Sequence, residues 1–151
     1  MKVMNDKFKK QVYNEVKRRG LLNEQEMGMG DSGFKEIISV LFHSRTQIHV
    51  FHLQTESYAE HKALQKYYES IDGFIDGLVE SYQGKHGILT RYTTIKVDDY
   101  VNNDEVKTYL EKVNSVIEKN RTSVQESYIQ NQIDSVQELI FSTLYKLKFL
   151  K

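Results

Sequence analysis

The chain has 151 residues and no net charge, with 21 Lys or Arg balanced by 21 Asp or Glu, and it contains neither Pro nor Cys. Without Cys, disulfides, thiolate metal sites and Cys nucleophiles are excluded, and this length suits one domain with a sizeable core. The absence of Pro together with 28% charged residues points to long, solvent-facing helices, so the predicted fold class is all-α.

Residues 1–20 place Met4, Phe8, Val12 and Val16 at four-residue spacing, which predicts a short amphipathic helix ended by Gly20. The same segment carries Lys2, Lys7, Lys9, Lys10, Lys17, Arg18 and Arg19 against only Asp6 and Glu15. These cations suit non-specific contacts to DNA phosphates. The other reading, which we prefer, docks the apolar stripe on a protein partner or on the chain's own bundle, with the cations solvated. No run of about 18 apolar residues could span a bilayer, and no apolar signal-peptide core is present, so a non-secreted protein without a transmembrane segment is expected.

Residues 21–32 read as a Gly-rich linker, with Asp31 or Ser32 placed to cap the next helix. Gly28, Gly30 and Gly33 match the spacing G-x-G-x-x-G, but the dinucleotide fingerprint requires a preceding strand that Gly20 to Met27 does not offer. A helix is predicted from about Gly33 to Gln54, with Phe34, Ile37, Ile38, Leu41, Arg45 and Ile48 toward one side. Ser57 and Glu60 form a capping-box pattern, so a second helix starts at Tyr58. Leu64, Tyr68, Ile71, Ile75, Leu78 and Tyr82 give its apolar stripe, and Gly84 is the expected C-terminal cap.

Residues 84–103 show no sustained period. Their acidic end, Asp98 to Glu111, lacks the alternating ligands and central Gly of a calcium loop. A third helix follows from Asp104 to about Asn120 through Val106, Leu110, Val113 and Ile117. Thr122 or Ser123 is placed to cap a fourth, with the stripe Ile129, Ile133, Val136, Ile140, Leu144 and Leu147. Two hairpins joined by one long central connection describe the ferritin-like form of the four-helix bundle over residues 33–151, with a crossover between its second and third helices.

Glu-x-x-His, which di-iron bundles use twice, does not occur, so a di-iron centre within one chain is not expected. Side chains suited to metal gather elsewhere. His49 and His52 lie one turn apart at the end of one helix and His61 lies in the first turn of the next, so the hairpin brings all three to one end. Asp72, Asp76 and Glu80 recur every fourth residue, but at 1.5 Å per residue Asp76 is about 22 Å along the helix from His61. One subunit cannot close a site from both groups. Two subunits packed antiparallel can, if each supplies histidines to the other's carboxylates.

In this register, His49, His61, Gln65, Asp76 and Glu80 resemble the inter-subunit ferroxidase signature of Dps-type mini-ferritins, matching it at every position except Gln65, where that family places a carboxylate. His52-Leu-Gln-Thr also resembles the family's His-Trp-Asn segment, with a shorter connection. The stretch from residue 43 to 84 is similar to a family of tailed-phage proteins with a Dps-like fold. The resemblance implies a homo-oligomer, up to a dodecameric cage, found in host cytoplasm or the phage virion. It implies Fe(II) held between subunits, with Zn(II) as a substitute ion, and oxidation of the iron by peroxide or oxygen. His49, His52, His61, Asp76 and Glu80 would be ligands and Asp72 an outer-shell group. By the same resemblance, the basic N-terminus would bind DNA. The alternative is a non-catalytic helical bundle acting as a phage structural or host-interaction protein, favoured by Gln65 and by the missing Trp.

Overall fold

The computed structural model describes residues 24–90, 92 and 96–150. Among them are four α-helices and no strand: α1 Glu24–Gln54, α2 Tyr58–His86, α3 Asn103–Asn120 and α4 Ser127–Phe149, with a 3-10 turn at Arg121–Ser123 before α4. No helix of the described residues is long and apolar enough to cross a membrane. The helix predicted over residues 1–20, with all seven of its Lys and Arg, lies outside the described residues.

Core positions follow the 3.6-residue period. Phe34, Ile37, Ile38, Leu41 and Ile48 of α1 are buried, as are the predicted stripes of α3 and α4 in full. Two assignments differ. Arg45 leaves the α1 stripe for an ion pair with Asp72, 3.2 Å away. On α2 it is Tyr67 that is fully buried, donating or accepting one 2.8 Å bond with Ser44, while Tyr68 sits half-exposed at the α1–α2 rim. Burial pushes the Tyr67 hydroxyl well above its ordinary pKa.

Helix boundaries shift for identifiable reasons. α1 is helical from Glu24, the first described residue, so the stretch from 24 to 32 assigned to a linker is helical and positions 31 and 32 lie within the helix. Without Pro, a helix nucleated by the apolar stretch beyond Gly33 can propagate backward through Gly28 and Gly30, each costing only about 1 kcal/mol. Gly33 is required by close packing, because a Cβ there would lie 2.7 Å from the Cβ of Ser123 in the 3-10 turn. α2 runs past Gly84 to His86 and is capped by Gly87, whose φ of 91° suits a residue without Cβ. Thr122 and Ser123 belong to the 3-10 turn, and Glu126 takes the N-cap position of α4.

α1 packs on α2 and α3, and α4 packs on α2 and α3, so α1 faces α4 and α2 faces α3 across the diagonals. The long connection explains this order. It leaves α2 near Gln83, whose Oε1 accepts from Leu89 N at 3.0 Å, and climbs the outside of α1. His43 Nε2 donates to Lys96 O at 3.1 Å, and Gln47 both donates to Asp98 O at 2.7 Å and accepts from Asp98 N at 2.8 Å. Gln54 Oε1 then accepts from Tyr100 N at 2.6 Å, and Tyr100 OH donates to Glu60 Oε2 at 2.9 Å. α3 therefore starts at the α1–α2 hairpin end and runs parallel to α2.

At the opposite end, Glu126 ties α4 to the end of α2. Its Oε1 accepts from Lys85 Nζ and His86 Nε2, each at 2.8 Å, and its side chain is 9% exposed. The Lys85 bond, reinforced by a backbone N–H and by His86 and only partly offset by burial, lowers its pKa from 4.5 to about 2.

Gly33→Ala should lose about 1–3 kcal/mol in urea denaturation through overpacking against Ser123. Gly73→Ala, in a helix with nothing within 4 Å of the added carbon, should gain about 0.4–1 kcal/mol. The stabilisation carried by ionised Glu126 is complete above its ordinary pKa of 4.5 and is lost as pH falls toward about 2. Urea midpoints of the wild type and Glu126→Gln, separated at neutral pH, should therefore converge in that acid range.

Candidate functional site

The end of the bundle at which α1 turns into α2 is built by a connection of three residues, Thr55, Glu56 and Ser57. Ser57 Oγ accepts from Glu60 N at 3.3 Å, which starts α2 as predicted. The second half of the expected capping box does not form. Glu60 instead turns inward to 3% exposure, where its Oε2 accepts from Thr55 Oγ1 at 2.7 Å and from Tyr100 OH. Ser57 N finds its acceptor in Thr55 Oγ1 at 3.2 Å.

So tight a turn sets His52 and His61 face to face. Their rings stack at 3.7 Å with 26° between planes. His52 Nδ1 lies 2.9 Å from the carbonyl of His61, and His61 Nδ1 lies 3.0 Å from the carbonyl of His52. A carbonyl can only accept, so both rings carry their proton on Nδ1, and in the neutral form each keeps its Nε2 lone pair available. His52 is 7% exposed and His61 half-buried. His49 stacks on Tyr68 at 4.2 Å, and its ring centre is 5.9 Å from that of His52. Tyr68 in turn meets His52 edge-on at 5.1 Å. The three histidines thus gather as the hairpin requires, beside an open hollow of about 280 Å³ lined by Thr55, Glu56, Ser57, Tyr58 and His61.

The carboxylates lie elsewhere. α2 is unbroken from Tyr58 to His86, so Asp76 and Glu80 stand about 22 and 28 Å along its axis from His61. Both are exposed. Asp72 is held by Arg45. Gln65 accepts from Lys62 at 3.2 Å and donates to Glu69 Oε1 at 2.8 Å, which brings a carboxylate to its turn of the helix. Among the described residues, no three His, Asp or Glu side chains of one chain come close enough together to hold a metal ion.

Several polar residues outside the expected set shape this end. Glu60 appears in the sequence only as a capping residue. His43, Gln47 and Gln54, spaced four and seven residues apart, line the face of α1 that the crossover covers. That spacing, beside the apolar stripe, is a readable sign of a face covered by backbone. His43 has the opposite tautomer to His52 and His61: Nε2 donates to Lys96 O, and Nδ1 accepts from Tyr109 OH at 2.7 Å. Nitrogen-15 NMR of the imidazoles at neutral pH should therefore show Nδ1–H for His52 and His61 and Nε2–H for His43. His52→Ala or His61→Ala should remove its own signature and leave the partner's Nδ1–H, because each ring's acceptor is a backbone carbonyl that the substitution keeps.

No curated protein and no solved structure matches the chain. The match that exists runs over residues 52–147, from His52 almost to the end of α4, and so includes His61, Asp76 and Glu80 but not His49. Over that span the sequence fits DUF5856, described as a family of unknown function, and the chain belongs to that family.

Proposed function

We propose that the chain is a ferritin-like bundle that self-associates and binds a divalent transition-metal ion, Fe(II) foremost, between copies. His52 and His61 of one copy would face Asp76 and Glu80 of another. The observation that carries this reading is the reciprocal His52–His61 pairing, which fixes both Nδ1 protons on backbone carbonyls and leaves both Nε2 atoms free. Metal-binding histidines are oriented in this way, by a hydrogen bond from the ring nitrogen that does not ligate. Imidazole nitrogen suits Fe and Zn, and the carboxylates supply harder oxygen donors.

The separation along α2 makes the site a shared one. His49, stacked on Tyr68, and Asp72, engaged by Arg45, are assigned outer positions in which they orient or neutralise neighbours. Gln65 is the weak point, since a neutral amide replaces a charge, and Glu69 is the carboxylate nearest to making up for it. A homo-oligomer, up to a dodecameric cage, fits the resemblance to Dps-type proteins and to a family of tailed-phage proteins. Oxidation would be a second step, in which two ferrous ions deliver two electrons to one peroxide, yielding water after uptake of two protons.

The second reading is a non-catalytic bundle acting in a virion or on a host partner, or contacting DNA through the basic N-terminus. The Arg45–Asp72 pair favours it, because it shows one of the expected carboxylates already satisfied within the chain. Anaerobic Fe(II) titration of the assembled protein separates the two. Stoichiometric binding, weakened tenfold or more in Asp76→Ala and His61→Ala while the oligomer persists, is the expected result. No stoichiometric uptake by the wild type would overturn the metal reading.

A further inference from the structure

We infer that the outer face of α2 is a self-association surface on which a second copy of this chain packs antiparallel, about a two-fold axis beside Ile71. In that pairing Lys62 and Lys66 of each copy meet Glu80 and Asp76 of the other. The inference rests on the association of copies proposed above, but not on the metal.

In an antiparallel pair related by such an axis, each residue faces the one equally far on the other side of Ile71. Lys66 lies five residues before it and Asp76 five after; Lys62 lies nine before and Glu80 nine after. All four are exposed, and Lys66, Asp76 and Glu80 have no ion pair among the described residues. At 1.5 Å per residue the two pairs fall about 7.5 and 13.5 Å from the axis, on both sides of it. A parallel pairing would set lysine against lysine and acid against acid.

Shape follows the same symmetry. Glu69, two residues before Ile71, faces Gly73, two after. Tyr58, thirteen before and 75% exposed, faces Gly84, thirteen after. A Cβ on Gly73 or Gly84 would meet nothing within 4 Å, so no contact inside the chain requires Gly at either position. Both are destabilising choices in a helix, and both open space opposite a larger side chain of the second copy. A partner of unrelated sequence would have no reason to match the mirror order of charge and size along one helix. A second copy matches it automatically.

In this arrangement the lysines occupy the carboxylates proposed as metal ligands. The copies therefore pair without metal, and a divalent ion enters by displacing ammonium groups from Asp76 and Glu80.

The test is light scattering with size-exclusion chromatography in EDTA at low salt, on the wild type, K62E/K66D, D76K/E80K and an equimolar mixture of the two variants. The wild type should be a dimer or a multiple of one, dissociating as salt is added. Each variant alone should associate at least tenfold more weakly, because like charges then meet across the axis, and the mixture should recover association as a heterodimer. Gly73→Trp should weaken pairing while leaving the helical circular dichroism of the chain intact. Variants that associate as the wild type does, or a mixture that recovers nothing, would overturn the inference. A wild type that is monomeric in EDTA and assembles only with Fe(II) would overturn it while leaving the metal reading in place. The charge-swap pattern without iron uptake would do the reverse.

Discussion

Three residues between two long helices leave α1 and α2 almost no freedom, and the reciprocal bonds between His52 and His61 fix what remains. Each ring binds the backbone of the opposite helix, and the His52 carbonyl, in the last turn of α1, is one that a helix end leaves without an intrahelical donor. Stacking of the rings at 3.7 Å closes the gap that two approaching helix ends would leave. The angle of the hairpin determines which face of α1 is left for the crossover, and through it where α3 begins. Removing one imidazole takes away the stacking and one of the two bonds and leaves both backbone carbonyls in place.

The crossover shows how an extended segment can be held without a strand partner. Backbone N–H and C=O groups taken from water need replacements. Gln47, 1% exposed, supplies a donor and an acceptor to Asp98 and so behaves as one residue of a missing strand. His43 and Gln54 extend the row on either side. Glu60 closes it through Tyr100, and its second carboxylate oxygen is buried with no hydrogen-bond partner in the structure. The end of the bundle carrying the histidines is thus also where the crossover is fastened, and disturbance of one is expected to reach the other.

Periodicity is enough to place four helices and nearly all of their buried apolar residues, because each stripe repeats over about three turns or more. It failed where a decision rested on one residue. Tyr67 and Tyr68 are adjacent and differ by about 100° around the helix, so a small error in the stripe's direction exchanges the core Tyr for the rim Tyr. Gly84 and Gly87 are both plausible stops, and only the conformation at Gly87 decides between them. The convergence of His49, His52 and His61 was legible because a short turn permits little else. The lock between two of them was not, since it depends on carbonyl positions that side-chain spacing does not encode. Glu60 was misread for a related reason: a capping box assumes a solvent-facing helix start, and here Tyr100 covers it.

The outer face of α2 poses an electrostatic question that the chain alone does not answer. Asp76 and Glu80 are one turn apart, and so are Lys62 and Lys66, so each pair of like charges disfavours its own helix by about 0.2–0.5 kcal/mol. Interleaving the signs at i and i+4 would have removed both penalties. A bound cation relieves only the acidic pair, and an anionic partner such as DNA relieves only the basic one. A second copy of the chain, inverted, relieves both together, because Lys62 and Lys66 lie on one side of Ile71 and Asp76 and Glu80 on the other. On that ground the lysines, which no metal site needs, are the residues that distinguish a face made for self-association from one made for an ion alone. In the arrangement proposed above, association would come first and metal second, with Asp76 and Glu80 passing from ammonium partners to the ion.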